Sequence, residues 1–181
     1  MKTSEKWAFV LIGNDRTGKT TFQKHVVNIF TDQQRHQRLD CDLIFKISHP
    51  EISIKINSLM IGNRSIQERI PKAFLSIQEY FEKHFKDADI CIISSHLSMA
   101  DLKEIIDSCH KKFYNIGAVF FSNSIGNSNT SELNRDASLL QWDRRFLVTN
   151  PLQEDQKVID EQIRLAAESF SEMIIKRSST W

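Results

Sequence analysis

Residues Trp7 to Phe30, WAFVLIGNDRTGKTTFQKHVVNIF, carry the reading on which the rest of the chain depends. Ala8 to Ile12 is a continuous apolar run of the kind a strand buried on both faces needs. Gly13, Gly18, Lys19 and Thr20 follow at the spacing G-x-x-x-x-G-K-[ST], the loop that wraps a nucleotide triphosphate tail. Phe22, Val26, Ile29 and Phe30 then recur at helical spacing. Strand, loop and helix therefore arrive in the order such a loop requires. The spacing predicts a helix from Lys19 to about Phe30, stopping in the polar stretch TDQQRHQ.

The residue types suit the chemistry. A loop carrying glycines can turn its backbone N–H groups inward around phosphate oxygens, and the following helix points the positive end of its dipole at the same anion. Lys19 would reach the outer phosphates as a point charge, and the hydroxyl of Thr20 would ligate magnesium. The candidate nucleotide-binding residues are thus Gly13, Asn14, Asp15, Arg16, Thr17, Gly18, Lys19, Thr20 and Thr21. Only five glycines occur in the 181 residues, and two of them sit in this motif.

Length suits one domain over residues 1–181 with a real core. Lys and Arg number 24 against 23 Asp and Glu, so no global field draws in nucleic acid or an anionic membrane. Cys41, Cys91 and Cys109 lie far apart and form no C-x-x-C pair, which argues for buried thiols in a reducing compartment and against a disulfide framework or zinc site. No apolar run approaches the roughly 20 residues needed to span a bilayer, and MKTSEKW leads into the first strand without the features of a signal peptide. The expectation is a soluble cytoplasmic protein with no membrane partner.

Further along, a second strand is expected to end near Asp40 to Asp42 in RLDCDLIFKISHP. A parallel strand there would bring both aspartates to the edge where the glycine loop lies; the alternative for Asp42 is an Asx turn into Leu43. Ile52, Ile54 and Ile56 alternate as a strand would, although the same stretch also reads as an irregular excursion over the active edge. Ser65 and Glu68 have capping-box spacing, and Ile66, Ile70, Phe74, Ile77, Phe81 and Phe85 form one stripe, predicting a long helix from about Ile66 to Phe85 with a kink or late start at Pro71. The stripe reads as core.

Ile90 to Ile93 read as the third strand, followed by Ser94, Ser95 and His96 at the ligand-binding end; His96 either touches substrate or phosphate or is an ordinary loop histidine. Ser98 and Asp101 introduce a helix with Leu102, Ile105, Ile106, Cys109 and Phe113 on one face. Gly117 to Phe121 and Arg145 to Val148 read as the fourth and fifth strands. Between them, residues 122–141 are polar and rich in Ser and Asn, which reads as a mobile loop placed as a lid, with a short helix near its end as an option. A final helix carries Ile159, Ile163, Ala166, Phe170 and Met173, with residues 178–181 as a frayed tail. Together these predict a three-layer α/β P-loop NTPase fold with a mainly parallel five-stranded sheet and helices on both faces.

GNDRTGKTT, with LDCD at Leu39 to Asp42 about twenty residues on, resembles the P-loop kinases, specifically the small branch that includes gluconate kinase, adenylylsulfate kinase, zeta-toxin-like kinases and polynucleotide 5′-kinases. LDCD is similar to the two-acid segment of those families, whose second acid lies beside the acceptor hydroxyl; the resemblance puts that role on Asp42. NRSIQERI is similar to the segment that supplies a substrate-contacting arginine, with Arg64 or Arg69 as the counterpart. What the resemblance implies is ATP and Mg2+ as cofactors and a small-molecule acceptor.

The chain also departs from that pattern. The acid that many P-loop proteins place after the third strand to hold magnesium through water is missing. The lid holds only Arg135, where such kinases carry several arginines, and Arg144 and Arg145 come at the start of a strand. No N-K-x-D follows the fourth strand to select guanine, and Thr149 to Leu152 resembles the segment that touches adenine, which favours ATP. The expected function is an ATP- and Mg-dependent phosphotransferase acting on a hydroxyl of a small metabolite, nucleoside or nucleotide, with Lys19, Asp42 and either Arg135 or Arg64 as its catalytic groups. The alternatives are a nucleotide-binding regulatory protein without efficient transfer, and a polynucleotide 5′-kinase, which the absence of a visible basic track disfavours.

Overall fold

The computed structural model describes residues 5–31, 39–52, 56–125 and 128–178. Six strands form one sheet in the spatial order β2-β3-β4-β1-β5-β6, with β1 at Lys6–Ile12, β2 at Leu43–Lys46, β3 at Ser58–Ser65, β4 at Ile90–Ser95, β5 at Tyr114–Phe121 and β6 at Arg144–Val148. All neighbours pair in parallel except β2, which runs antiparallel to β3 along one edge.

Period-two alternation sorts the central strand between two cores. Trp7, Phe9 and Leu11 of β1 face one side, where Phe22, Val26, Val27 and Phe30 of helix α1 (Lys19–Phe30) meet Ile163, Ala167, Phe170 and Ile174 of helix α6 (Gln156–Ser178). Ala8, Val10 and Ile12 face the other side, against Leu102, Ile105, Ile106 and Cys109 of helix α4 (Met99–Lys111). Burial pushes the thiol of Cys91 up to about 12 and that of Cys109 well above its ordinary value, so neither is a reactive thiolate.

The strand count and the second strand depart from expectation. No parallel strand ends at Asp40–Asp42. Residues 41–42 form a turn, Asp42 takes a left-handed backbone with φ of 56°, and β2 begins only at Leu43. A strand not counted from the sequence, β3, lies beside β4, giving six strands in the sheet instead of five. Of the alternating isoleucines, Ile52 and Ile56 are buried, and Ile54 lies outside the described residues.

The long helix from Ile66 to Phe85 is also corrected. Helix α2 covers only Ile66–Arg69 and stops at Ile70, whose φ of −83° and ψ of 134° are the extended values a following proline favours. The chain resumes as a short turn of helix, α3 (Ile77–Glu79), which runs into a π-turn at Tyr80–His84. The stripe is core as expected at Ile66, Phe74, Ile77 and Phe81, which are buried, with Ile70 and Phe85 partly buried against them, but no single helix supplies it.

Residues 128–138 of the expected lid form a helix, α5, packed against α4, and residues 126–127 lie outside the described residues, as do 179–181 of the expected tail. Among the described residues no helix is long and apolar enough to cross a membrane.

Candidate functional site

Helix α1 follows β1 onto one face of the sheet, and α4 follows the adjacent β4 onto the other. Two neighbouring parallel strands whose connections leave toward opposite faces open a crevice at their C-terminal ends. The 13–20 loop and the Ser94–His96 segment meet there, and the Gly13 N–H donates to the Ser95 carbonyl at 3.3 Å.

The loop is wound tightly. Arg16 has φ of 61° and Gly18 φ of 96°, a left-handed turn that delivers the chain into α1. A Cβ on Gly18 would be strained by this backbone and would lie 2.2 Å from Cδ1 of Ile163, so the end of the Ile163 side chain on α6 would have to shift to admit it. The Thr17 hydroxyl donates to the Asn14 carbonyl at 2.9 Å. The Thr17 carbonyl in turn accepts from Asn150 Nδ2 at 2.9 Å and Asn123 Nδ2 at 3.3 Å. Asn150 is itself fixed, because its N–H donates to Ser122 Oγ at 2.7 Å and its Oδ1 accepts the Asn123 N–H at 3.3 Å. The segments after β5 and β6 thereby brace the loop that follows β1.

Lys19 is buried, 8 % exposed, and its Nζ donates to the carbonyls of Gly13 at 2.5 Å and Asn14 at 2.7 Å. Burial pushes its ammonium down to about 8, against the opposing pull of the Asp15 and Glu68 carboxylates. An ammonium held in this way, over loop carbonyls and beside the start of α1, is a ready partner for an anion.

A cleft of about 490 Å³ opens over the loop, lined by residues 15–21, by Asn63, Arg64 and Ser65 at the end of β3, by Glu68 of α2, and by the first turns of α6. Its charges are mixed: Arg16, Lys19 and Arg64 face Asp15, Glu68 and Asp160. A smaller cavity of about 190 Å³ adjoins it and shares Thr20, Asn63 and Arg64, adding Lys24, Asp40 and Cys41. Asn63 Nδ2 donates to the Leu39 carbonyl at 2.5 Å, which ties the end of β3 to the LDCD turn.

The expected site residues separate. The residues from Asp15 to Thr21, together with Arg64, come together at the cleft, and the Gly13 and Asn14 carbonyls hold Lys19. Asp42 lines neither cavity. It is buried in a bidentate pair with Arg69, at 3.1 and 2.6 Å, and accepts the Tyr80 hydroxyl at 3.0 Å. Burial would lower the guanidinium's pKa, but the bond to Asp42 holds it above its usual value. Arg69 also lies over the rings of Phe74 and Tyr80, at 4.9 and 5.3 Å from their centroids, so both members of the pair are committed to packing. Arg135 is exposed on α5, 3.5 Å from Asp136, and lines a separate groove along β6. Of the two arginines weighed as substrate contacts, Arg64 reaches the cleft and Arg69 does not.

Other residues at the site carry weaker sequence signals. Asn150 and Asn123 brace the loop from more than a hundred positions away. Ser65 stands at the N-cap of α2, where the capping-box spacing puts it, but its side chain makes no capping hydrogen bond and Glu68 turns to His96. Gln67 accepts the His96 N–H at 3.2 Å and donates to Ser95 Oγ at 2.9 Å, which pins the β4 end against α2.

No protein-family model matches the sequence, and no curated protein or solved structure matches it.

Proposed function

We propose that this chain is an ATP- and Mg-dependent phosphotransferase acting on a hydroxyl of a small metabolite, nucleoside or nucleotide. The observation that carries the reading is the buried Lys19 ammonium, folded back onto the Gly13 and Asn14 carbonyls beside a cleft lined by the loop, the end of β3 and the start of α6. An anion arriving there exchanges two carbonyl acceptors for charged phosphate oxygens, which a desolvated ammonium binds more strongly. Asn150, at the segment expected to meet adenine, abuts the same loop.

Magnesium fits the residues present. Thr20 is exposed at the junction of the two cavities. Asn63 lines both, and its Oδ1 is buried without a partner, as an acceptor for a water on the ion would be. The hydroxyl of Thr20 would hold the metal, which when bound supplies positive charge to the outer phosphates. In the adjoining cavity Asp40 sits with Thr20, Lys24 and Arg64. In this reading Asp40 orients the acceptor hydroxyl and takes its proton, Arg64 supplies charge near the transfer, and Asp42 holds the turn that carries Asp40.

The test is transfer of labelled γ-phosphate from ATP to a panel of sugars, polyols, nucleosides, nucleotides and 5′-hydroxyl oligonucleotides. The proposal expects transfer to one small-molecule class, reduced on the order of a hundredfold or more in Asp40→Asn. Transfer to no class overturns it.

The mixed charges of the cleft favour a second reading. Three carboxylates opposing three cations leave little net charge to stabilise a transferring phosphoryl group, which is most of the catalysis in this chemistry. A nucleotide-binding regulatory protein would bind ATP and release no ADP with any acceptor.

A further inference from the structure

At the mouth of the cleft, three chain segments converge on one point. His96 Nε2, just beyond β4, lies 3.1 Å from Asp15 Oδ1 of the 13–20 loop and 3.0 Å from Glu68 Oε1 of α2. One ligand atom from each of the three lies within 4.8 Å of the other two. Ligands about 2.0–2.2 Å from a shared ion, at the angles of tetrahedral or octahedral coordination, stand roughly 2.8–3.6 Å apart. The two measured separations fall in that range.

A second feature of the same cleft points to a ligand. Ser65 lines it beside Glu68 and is 1 % exposed, yet its hydroxyl has no partner. A buried hydroxyl with no protein partner is matched by a water or by a ligand. The backbone of His96 is also fixed in place. Its N–H is held by Gln67, the residue before Glu68, and its carbonyl accepts from Ser95 Oγ at 2.9 Å and the Ser98 N–H at 3.0 Å.

We propose that Asp15, Glu68 and His96 form a site for a divalent first-row transition ion of the Zn2+ or Mn2+ kind. Two carboxylates and a neutral imidazole carry the charge that balances a divalent cation, and the nitrogen ligand favours such ions over magnesium. The ion takes the place of the direct contacts between His96 and the two carboxylates. It also turns a negative rim into one compatible with phosphate. This site is separate from the threonine hydroxyl proposed to hold magnesium, and it forms without nucleotide.

The experiment is calorimetric titration of the full chain with ZnCl2, and in parallel with MnCl2 and MgCl2, in the absence of any nucleotide. The expected result is one Zn2+ per chain, with Mg2+ much weaker. His96→Gln, Asp15→Asn and Glu68→Gln should each weaken Zn2+ by roughly ten- to a hundredfold or more. His110→Gln, which alters a histidine–carboxylate pair elsewhere, and Cys41→Ser should leave it unchanged. Circular dichroism of each variant verifies the fold, and two of the three ligands lie on exposed surface, so at least one variant remains informative. Absence of saturable binding, or equal binding in wild type and in His96→Gln and Asp15→Asn, would overturn the proposal and leave His96 as the ion-pair partner of two acids. Because no nucleotide is present, that failure says nothing about phosphoryl transfer.

Discussion

Arg69 grips both carboxylate oxygens of Asp42, at 3.1 and 2.6 Å, although the two residues are 27 positions apart. The pair is nearly dry, with side-chain exposures of 12 % and 9 %. Removing one member leaves the other buried and uncompensated, which costs roughly 3–5 kcal/mol. Asp42→Ala should therefore lower unfolding stability by about that much in urea denaturation. Asp42→Ala with Arg69→Met should lose less than the sum of the single changes, because the orphaned charge is gone. Additive losses would mean that the pair carries no coupling.

Gly18 and Ile163 form a second test of packing. Gly18→Ala imposes a side chain on a φ of 96° and drives its Cβ to 2.2 Å from Ile163 Cδ1. A left-handed backbone and an overpacked contact together cost roughly 2–4 kcal/mol. Ile163→Val removes the opposing methyl, so Gly18→Ala with Ile163→Val should recover the steric share and keep the backbone share. Denaturation midpoints of the four proteins measure the split.

Asn150 links the end of β6 to the 13–20 loop. Asn150→Ala strips the Thr17 carbonyl of its nearer donor and leaves buried groups of Ser122 and Asn123 with one partner fewer. The expected stability loss is about 1–3 kcal/mol. Affinity for ATP should fall by more than it does in an equally destabilised core variant such as Ile174→Val, since the loop itself is loosened.

His25 on α1 supplies the pH dependence. Burial, aided by the nearby Arg164 guanidinium, lowers its pKa below the ordinary 6.5, although Glu168, Asp160 and Glu161 pull the other way. In the window between the lowered folded value and 6.5 the unfolded chain binds more protons, so stability rises with pH across it and is lost as pH falls through it. His25→Gln should flatten that part of the stability profile, read as denaturation midpoints between pH 5 and 7. An unchanged slope would assign the acid sensitivity to other groups.

The legible parts of this chain are those whose signals are local. The run Ala8–Ile12, the glycine spacing and the period of α1 each declare themselves within a few residues, and the helices and strands from Ile90 onward follow the same rule. Residues 39–85 were misread because their organisation is non-local. The apolar period of Ile66 and Ile70 continues across Pro71 into Phe74, Ile77 and Phe81, so periodicity alone joined two short pieces that are core for separate reasons. LDCD carries the right residue types, but its turn rotates Asp42 inward to Arg69 and Tyr80 and leaves Asp40 at the cavity. That choice depends on partners 27 and 38 positions away, and no spacing rule within four residues contains it. The bracing of Thr17 by Asn150, 133 positions on, is invisible for the same reason.

The central claim is that the 13–20 loop with Lys19 and Thr20 binds a nucleotide triphosphate. Equilibrium titration of the purified chain with a fluorescent ATP analogue and MgCl2 tests it most directly. The account predicts saturable binding of one nucleotide per chain, abolished in Lys19→Met and weakened in Thr20→Ala, with both variants still folded by circular dichroism. Absence of saturable binding in the wild type, or equal affinity in Lys19→Met, would contradict it.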